Sequence, residues 1–226
     1  MPASPSIRVR EVSRRFGHRW VVRKVSLDIV PGEAVMLIGG NGAGKTTLLR
    51  VLAGLLKPSK GTIELTGTVG MVAHHTMMYD ALTARENLAF FARLHGVPRD
   101  EWLDHLLELL GLSHVAHERI GTFSRGMLQR LAIARSLLHR PDVLLLDEPL
   151  SGLDDAAAQV VLQVIQELKS RGASLVIATH QLVELVSVAE RVGIMVQGAL
   201  VALEPIEGRD AAAVVARYRE LVTHAA

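Results

Sequence analysis

The chain has 226 residues, and its 25 lysines and arginines against 23 acidic residues give a formal net charge of +2. That excess is too small to predict a nucleic-acid-binding surface, even with an isoelectric point of about 9.2. The chain has no cysteine, which excludes disulfides, thiolate metal sites and a cysteine nucleophile. Its length predicts one large domain, or a core with an inserted lobe.

Hydrophobic residues make up 49% of the chain, and the mean hydropathy is +0.28. A membrane span needs roughly 18–20 consecutive apolar residues, and no run approaches that length. Residues 1–8 also lack the apolar stretch of a secretory signal. We therefore expect an apolar chain that is soluble by itself and cytoplasmic.

The first third of the chain combines strand-like runs with one helix. Short runs rich in β-branched residues predict strands at residues 7–12, 25–30, 34–39, 62–65 and 69–73. A glycine-rich loop follows the third of these runs. It leads into a predicted helix over residues 45–56, which Lys57 and Pro58 end.

Residues 77–140 differ from the preceding part because their pattern is helical throughout. Thr83 and Glu86 have the spacing of a capping box and open a helix that runs to about Leu94. Further helices are predicted over residues 101–110 and 124–138. We interpret this stretch as a helical subdomain inserted into a sheet domain.

After Pro141 the alternation of strands and helices resumes. Strands are predicted at residues 142–146, 173–178, 192–196 and 198–203, and helices over 155–170, from 181 and over 210–222. The predicted fold class is α/β, with a mainly parallel sheet, an N-terminal antiparallel β subdomain and the inserted helical subdomain. The core would comprise residues 1–76 and 141–204 of a single domain, with a C-terminal helix in 205–226.

The segment from Gly39 to Thr46 reads Gly-Gly-Asn-Gly-Ala-Gly-Lys-Thr and fits the phosphate-loop pattern G-x-x-x-x-G-K-S/T. It follows a predicted strand and opens a predicted helix, as in a P-loop NTPase core. Glycines let backbone N–H groups surround phosphate oxygens, Lys45 neutralises phosphate charge, and the Thr46 hydroxyl can bind Mg²⁺. The predicted ATP-binding residues of this loop are Gly39, Asn41, Gly42, Ala43, Gly44, Lys45, Thr46 and Thr47. The alternative is a glycine-rich turn without a ligand.

Two adjacent carboxylates, Asp147 and Glu148, end the predicted strand at 142–146. At the carboxyl edge of a parallel sheet they would face the ligand crevice beside the phosphate loop. Asp147 suits Mg²⁺, directly or through water, and Glu148 suits positioning and polarising an attacking water. The alternative is a polar strand exit with no catalytic role.

Three further segments surround this acidic pair in a specific order. Phe123-Ser-Arg-Gly-Met127 precedes it, Ser151-Gly-Leu-Asp154 follows it, and Ala178-Thr-His-Gln181 ends the next predicted strand. Across residues 7–203 this order resembles the nucleotide-binding subunit of ATP-binding cassette (ABC) transporters. The resemblance implies an ATPase that uses ATP and Mg²⁺ and energises transport through separate membrane-embedded subunits.

In that family two subunits pair head-to-tail, and each ATP lies between the phosphate loop of one and the signature segment of the other. The resemblance therefore implies a dimer with a second nucleotide-binding subunit, which we expect to be a copy of this chain. The implied signature residues are Ser124, Arg125, Gly126 and Met127. Arg125 departs from the commoner glycine, and Ser124 has the alternative role of a helix cap alone.

The resemblance assigns roles to other positions as well. The implied catalytic residues are Lys45, Glu148 and His180, and His180 would hold both the γ-phosphate and Glu148. Gly152 and Asp154 match the loop that links the two sites. Phe16 matches the aromatic residue that stacks on adenine, with the hydrophobic core as its alternative place. Where the family has a glutamine that senses Mg²⁺, this chain has His74 and His75, which puts coupling geometry in doubt.

Within the family, residues 73–88 and 90–94, the signature segment and the segment ending at Gln181 resemble the ATPase of the haem exporter of cytochrome c maturation. Drug- and polysaccharide-type exporters share part of these features and are the alternative. A soluble ABC ATPase acting on nucleic acid is disfavoured because a single lobe separates Thr46 from Ser124 and no basic stripe is present. We expect no nucleic-acid partner and a peripheral place on the cytoplasmic face of the inner membrane.

Overall fold

The computed structural model describes residues 6–73, 78–97, 100–206, 208 and 210–224, which form two sheets and a set of helices. The strands are β1 (Ile7–Phe16), β2 (Arg19–Ile29), β3 (Ala34–Ile38), β4 (Lys60–Leu65), β5 (Val69–Val72), β6 (Val143–Asp147), β7 (Ser174–Ala178), β8 (Arg191–Val196) and β9 (Ala199–Pro205). The α-helices are α1 (Lys45–Leu52), α2 (Ala84–Leu94), α3 (Asp100–Leu109), α4 (Arg125–Ser136), α5 (Asp155–Ser170), α6 (Leu182–Leu185) and α7 (Ala211–His224).

The larger sheet has the strand order β5-β6-β7-β3-β8-β9. Its first five strands are parallel, and β9 pairs antiparallel with β8. Every residue of β3, β6 and β7 is buried, because helices cover both faces of a parallel sheet. These buried strands contain many of the apolar residues of the chain, which has a positive mean hydropathy but no long apolar run.

The smaller sheet has the order β2-β1-β4 and is antiparallel throughout. Its first two strands are longer than predicted, and only Gly17 and His18 separate them. The hydrophobic pattern missed this extension because half of the added residues are cationic, which interrupts the apolar run. Main-chain pairing continues regardless, with Arg15 opposite Trp20 and Phe16 opposite Arg19.

Helix α1 ends four residues earlier than the leucine spacing predicts. Gly54 has a φ of 74°, the left-handed conformation that commonly ends a helix. The Leu55 N–H then donates to the Arg50 carbonyl at 2.9 Å, and the Leu55 side chain is exposed. The helical spacing of the leucines therefore extends past the residue at which the helix ends.

Helices α2, α3 and α4 form the insertion between β5 and β6, which confirms the predicted fold class. The predicted capping box is present, since the Glu86 N–H donates to Thr83 Oγ1 and Glu86 accepts from the Thr83 N–H. Two short 3-10 turns, Ser113–Val115 and Ile120–Thr122, were not predicted. In the part of the chain that the structure describes, no helix is both long and apolar enough to cross a membrane.

A buried asparagine organises the segment that leads into α2. Asn87 is fully buried, its Oδ1 accepts from the Tyr79 N–H at 2.9 Å, and its Nδ2 donates to the Tyr79 and Thr83 carbonyls at 3.1 and 3.0 Å. Loss of this amide would leave the part-buried Tyr79 N–H without its partner and would remove one hydrogen bond from each carbonyl. The sequence pattern did not single out this residue.

We therefore expect Asn87→Ala to lower the free energy of unfolding by about 2–3 kcal/mol, because desolvated donors and acceptors are costly. Urea unfolding followed by circular dichroism measures the change. Gln163→Ala, at an exposed position of α5, is the matched control. Its free energy of unfolding should stay within about 0.5 kcal/mol of that of the parent chain. Equal stability of both variants would contradict this role for Asn87.

Candidate functional site

The phosphate loop connects the end of β3 to the first turn of α1. Gly42 and Gly44 have φ values of 75° and 102°, which glycine adopts without the penalty of a side chain. A Cβ on Gly44 would lie 2.5 Å from the Val21 carbonyl oxygen, and one on Gly39 would collide with the Met195 carbonyl. The glycines are therefore required both by the turn and by close backbone packing.

Lys45 is the first residue of α1 and is almost fully buried. Its Nζ donates to the Gly39 carbonyl at 2.6 Å and to the Gly40 carbonyl at 3.4 Å, so the ammonium lies against the loop. Burial lowers the pKa of Lys45 below its usual value, while the charges of Glu148 and Asp147 act in the opposite direction. An arriving polyphosphate would supply further negative charge and favour the protonated form.

The loop, the start of α1 and the acidic pair line one cavity of about 250 Å³. Its lining residues are Val21, Gly40, Asn41, Gly42, Ala43, Gly44, Lys45, Thr46, Thr47, Asp147 and Glu148. The N-terminus of α1 adds positive potential to the same space. The arrangement is therefore suited to a nucleotide's phosphates.

The residues present also fit a magnesium ion. The Thr46 hydroxyl and the Asp147 carboxylate line the same cavity, and both are oxygen ligands of the kind Mg²⁺ prefers. Among the described residues, no group of three or more His, Cys, Asp or Glu could hold a metal. Sites that bind Mg²⁺ together with substrate phosphates need only one or two protein carboxylates.

Glu148 leaves the sheet in a strained conformation, with a φ of 53°. Its N–H donates to the Ala178 carbonyl at 2.8 Å, which ties the turn after β6 to the end of β7. Its Oε2 lies 2.8 Å from His180 Nδ1 and accepts from Thr179 Oγ1 and the His180 N–H, each at 3.3 Å. The histidine and the carboxylate that the sequence predicts as partners are therefore in contact.

This contact orients the imidazole as well as the carboxylate. Because an ionised carboxylate only accepts hydrogen bonds, Nδ1 of His180 donates to it and Nε2 is left for another partner. The His180 side chain is 68% exposed, whereas that of Glu148 is 20% exposed. A ligand in the crevice can therefore reach the histidine while the carboxylate is held in place.

Helix α4 begins at the signature segment. Ser124 is exposed, and its Oγ caps the helix by accepting from the Met127 N–H at 3.2 Å. A Cβ on Gly126 would lie 3.4 Å from the Gly152 carbonyl oxygen and from Leu153 Cδ2. Among the described residues, the four of the signature segment do not line the cavity at the phosphate loop of their own chain.

The loop after Glu148 leads into α5. Gly152 has a φ of 76°, and Asp154 caps α5 by accepting from the Ala157 N–H at 2.8 Å. Arg125 Nη2 donates to Ser151 Oγ at 3.0 Å. The variant arginine of the signature segment therefore contacts the loop that the resemblance assigns to linking two sites.

Of the residues predicted to bind ATP, Phe16 and Gly39 do not line this cavity. Phe16 is 46% exposed and is not part of the hydrophobic core that was its alternative. Its ring lies under the Arg14 guanidinium at 4.8 Å, and its stacking on adenine stays a prediction. His74 and His75 lie outside the described residues.

Two residues that hold the site together were not predicted from the sequence. Thr179 is fully buried, and its hydroxyl links Glu148 Oε2 to the Gln181 N–H. Gln129 donates from Nε2 to the Glu148 and Pro149 carbonyls at 3.3 and 3.2 Å. The sequence feature that could have indicated a role for Gln129 is its position one helical turn after Arg125, on the same face of α4.

We expect Gly44→Ala to weaken ATP binding at least about 10-fold more than Gly42→Ala, because a Cβ at Gly44 meets the Val21 carbonyl and one at Gly42 meets nothing within 4 Å. Both substitutions carry the strain of a positive φ, which is greater at 102° than at 75°, and only Gly44→Ala adds a steric contact. Equilibrium binding of a fluorescent ATP analogue measures the affinities. Equal affinities would show that the close approach to Val21 does not shape the loop.

Comparisons with known proteins agree with this geometry. A family profile described as ABC transporter matches residues 22–151, more than half of the chain. The bacitracin transport ATP-binding protein BcrA of Bacillus licheniformis is 36% identical over 217 residues, which cover 90% of this chain and 71% of that protein. The Nod factor export ATP-binding protein I of Burkholderia lata is 37% identical over 217 residues, which cover 89% and 71%.

A solved structure described as the ATP-binding subunit of an ABC transporter has the same fold. Its TM-score is 0.86 at 26% identity, and the alignment covers 94% of this chain and 99% of that one. Profile, relatives and fold agree with the phosphate loop and acidic pair found at one cavity. The chain belongs to the ABC transporter family and is one of its ATP-binding subunits, an ABC-type ATPase.

Proposed function

We propose that this ATPase drives export through separate membrane-embedded subunits, on the cytoplasmic face of the inner membrane. ATP binding closes a dimer of nucleotide-binding subunits, hydrolysis reopens it, and the attached membrane subunits move in response. The observation that carries the proposal is the convergence of the phosphate loop, Asp147 and Glu148 on one cavity. The predicted division into a core and a helical subdomain at 77–140 is part of this proposal.

Each predicted catalytic residue has a role that its surroundings support. Lys45 exchanges its contacts with the loop carbonyls for β- and γ-phosphate oxygens. Thr46 and Asp147 supply oxygen ligands for Mg²⁺, which neutralises phosphate charge when bound. Glu148 accepts a hydrogen bond from the attacking water and aligns it with the γ-phosphorus.

His180 holds the Glu148 carboxylate and the γ-phosphate in their relative positions during hydrolysis. With its ring protonated, it donates from Nδ1 to the Glu148 carboxylate and from Nε2 to the γ-phosphate, because both nitrogens are donors in the imidazolium form. The water oxygen forms a bond to the γ-phosphorus while the bond from that phosphorus to the bridging oxygen of ADP breaks, and a proton of the water passes to an oxygen of the transferred phosphate. Inorganic phosphate and ADP then leave, and the dimer loses the ligand that held it closed.

The position of the signature segment favours a second copy of the chain as the partner. Ser124 is exposed at the N-terminus of α4, which carries positive potential. Because the signature residues do not line the cavity of their own chain among the described residues, the proposed γ-phosphate contacts of Ser124 and Gly126 require a partner. Two chains in head-to-tail arrangement supply these contacts twice.

The relatives favour one class of cargo over another. Proteins named for bacitracin transport and Nod factor export resemble this chain along most of its length, which supports an exporter of the drug or polysaccharide type. Haem export is the narrower hypothesis, and its support is the local sequence likeness in residues 73–94. The His74 and His75 substitutions would act on coupling to the membrane subunits rather than on ATP binding.

Lys45→Ala is expected to weaken ATP binding and to lower hydrolysis roughly 100-fold or more, because it removes the charge that faces the phosphates. Glu148→Gln is expected to lower hydrolysis roughly 100-fold or more while keeping ATP bound, because it removes the group that orients water. Phosphate release measures turnover, and light scattering after gel filtration detects closed dimers of Glu148→Gln. The matched control is Gln163→Ala, which should hydrolyse ATP at the wild-type rate. Wild-type hydrolysis in both Lys45→Ala and Glu148→Gln would overturn the proposal.

Affinity purification in mild detergent should recover membrane-embedded subunits together with this chain, because coupling requires a stable docked complex. Identification of those subunits by mass spectrometry tests the class of cargo. A permease of the drug or polysaccharide type is the expected result. Haem-handling partners would instead support the narrower hypothesis, and recovery of nucleic acid in a salt-sensitive complex would contradict both.

A further inference from the structure

One face of α4 is joined to the turn that carries Glu148. Gln129 Nε2 donates to the main-chain carbonyls of Glu148 and Pro149 at 3.3 and 3.2 Å. Arg125 Nη2 donates to Ser151 Oγ in the same turn at 3.0 Å. Because residues four apart lie on the same face of a helix, both side chains connect this face to the turn of residues 148–151.

Only one orientation of the Gln129 amide is compatible with its two hydrogen bonds. Both of its partners are carbonyl oxygens, which only accept, so the amide nitrogen and not the amide oxygen must face them. The Glu148 carbonyl also accepts from the Ser151 N–H at 3.1 Å, which closes the turn. Gln129 is half-buried, so its hydrogen bonds are partly shielded from competing water.

The turn that receives these contacts is strained and is held by two segments of the chain. Glu148 has a φ of 53°, a conformation that persists only where the surroundings enforce it. The end of β7 holds the turn through the Ala178 carbonyl, at 2.8 Å from the Glu148 nitrogen. The carbonyls of Glu148 and Pro149 are held by Gln129 of the helical insertion.

We propose that Gln129 is a positioning residue for Glu148, through which the orientation of α4 sets the place of the catalytic carboxylate. This inference rests on the proposed function, because it assumes that Glu148 orients the attacking water. Ser124 and Gly126 begin the same helix, and Gln129 lies about one turn further along it. A displacement of the signature segment therefore shifts the donor that holds the Glu148 carbonyl.

Two variants remove the donor in different ways. Gln129→Glu keeps the length of the side chain and places a carboxylate opposite two carbonyl oxygens. Gln129→Met keeps a similar volume, carries no charge and donates no hydrogen bond. Gln163→Glu, on an exposed position of α5, controls for the change in charge.

The readouts separate positioning from a general structural role. Turnover is measured as kcat from phosphate release, ATP affinity by equilibrium binding, and folding by the thermal midpoint. We expect kcat to fall about 10-fold in Gln129→Met and about 30-fold in Gln129→Glu, with the ATP Kd unchanged within about twofold. Thermal midpoints are expected within about 2 °C of wild type, and Gln163→Glu is expected to match wild type throughout.

A double variant tests whether Gln129 acts through Glu148. Single-turnover hydrolysis of radiolabelled ATP is compared between Glu148→Gln and Glu148→Gln combined with Gln129→Met. If Gln129 acts by placing the carboxylate, its loss has no further effect once the carboxylate is gone. An additional loss of about 10-fold in the double variant would overturn the inference.

The remaining outcomes are equally decisive. Wild-type kcat in both Gln129 variants overturns the inference, and so does a joint fall in kcat, ATP affinity and thermal midpoint in both, which indicates a structural role. If wild type hydrolyses ATP and Glu148→Gln does not, the proposed function holds whichever way Gln129 behaves. If Glu148→Gln hydrolyses ATP like wild type, the proposed function fails and this inference fails with it.

Discussion

The candidate site depends on the contact of three backbones around the phosphate loop. The Arg23 N–H of β2 donates to the Gly198 carbonyl at 2.7 Å, and the Gly198 N–H donates to the Ala43 carbonyl at 3.0 Å. A Cβ on Gly198 would lie 2.6 Å from the Val21 carbonyl, almost as close as one on Gly44. The antiparallel sheet, the loop and the β8–β9 turn therefore fix one another without side chains between them.

Strand order determines which groups meet at this loop. Because β7 lies between β6 and β3, the phosphate loop, the acidic pair and His180 all leave the central sheet at the same edge. The carboxyl edge of a parallel sheet is where ligands bind in such folds. The strain at Glu148 and the burial of Lys45 are local consequences of this convergence, since each group is held by the backbone of a neighbouring segment.

The fold class and the main elements could be predicted from the sequence because their signals are local. The phosphate loop, the capping box at Thr83 and the buried strands each lie within a few residues. The extension of β1 and β2 was missed because half of its residues are cationic and their pairing is between main chains. The contacts of Gln129 and Thr179 were missed because they join segments whose proximity only the folded sheet establishes. Haem export was inferred from local likeness, whereas the relatives described above are named for bacitracin transport and Nod factor export.

The place of β3 in the sheet has a consequence for synthesis on the ribosome. This strand belongs to the first forty residues of the chain, yet both of its neighbours, β7 and β8, lie beyond residue 170. Its five buried apolar residues therefore have no sheet partners until most of the chain has been made. During that interval this exposed apolar strand must be shielded by α1, by the early antiparallel sheet or by a chaperone. Nucleotide binding can arise only near the end of translation, when β3 has both of its sheet partners.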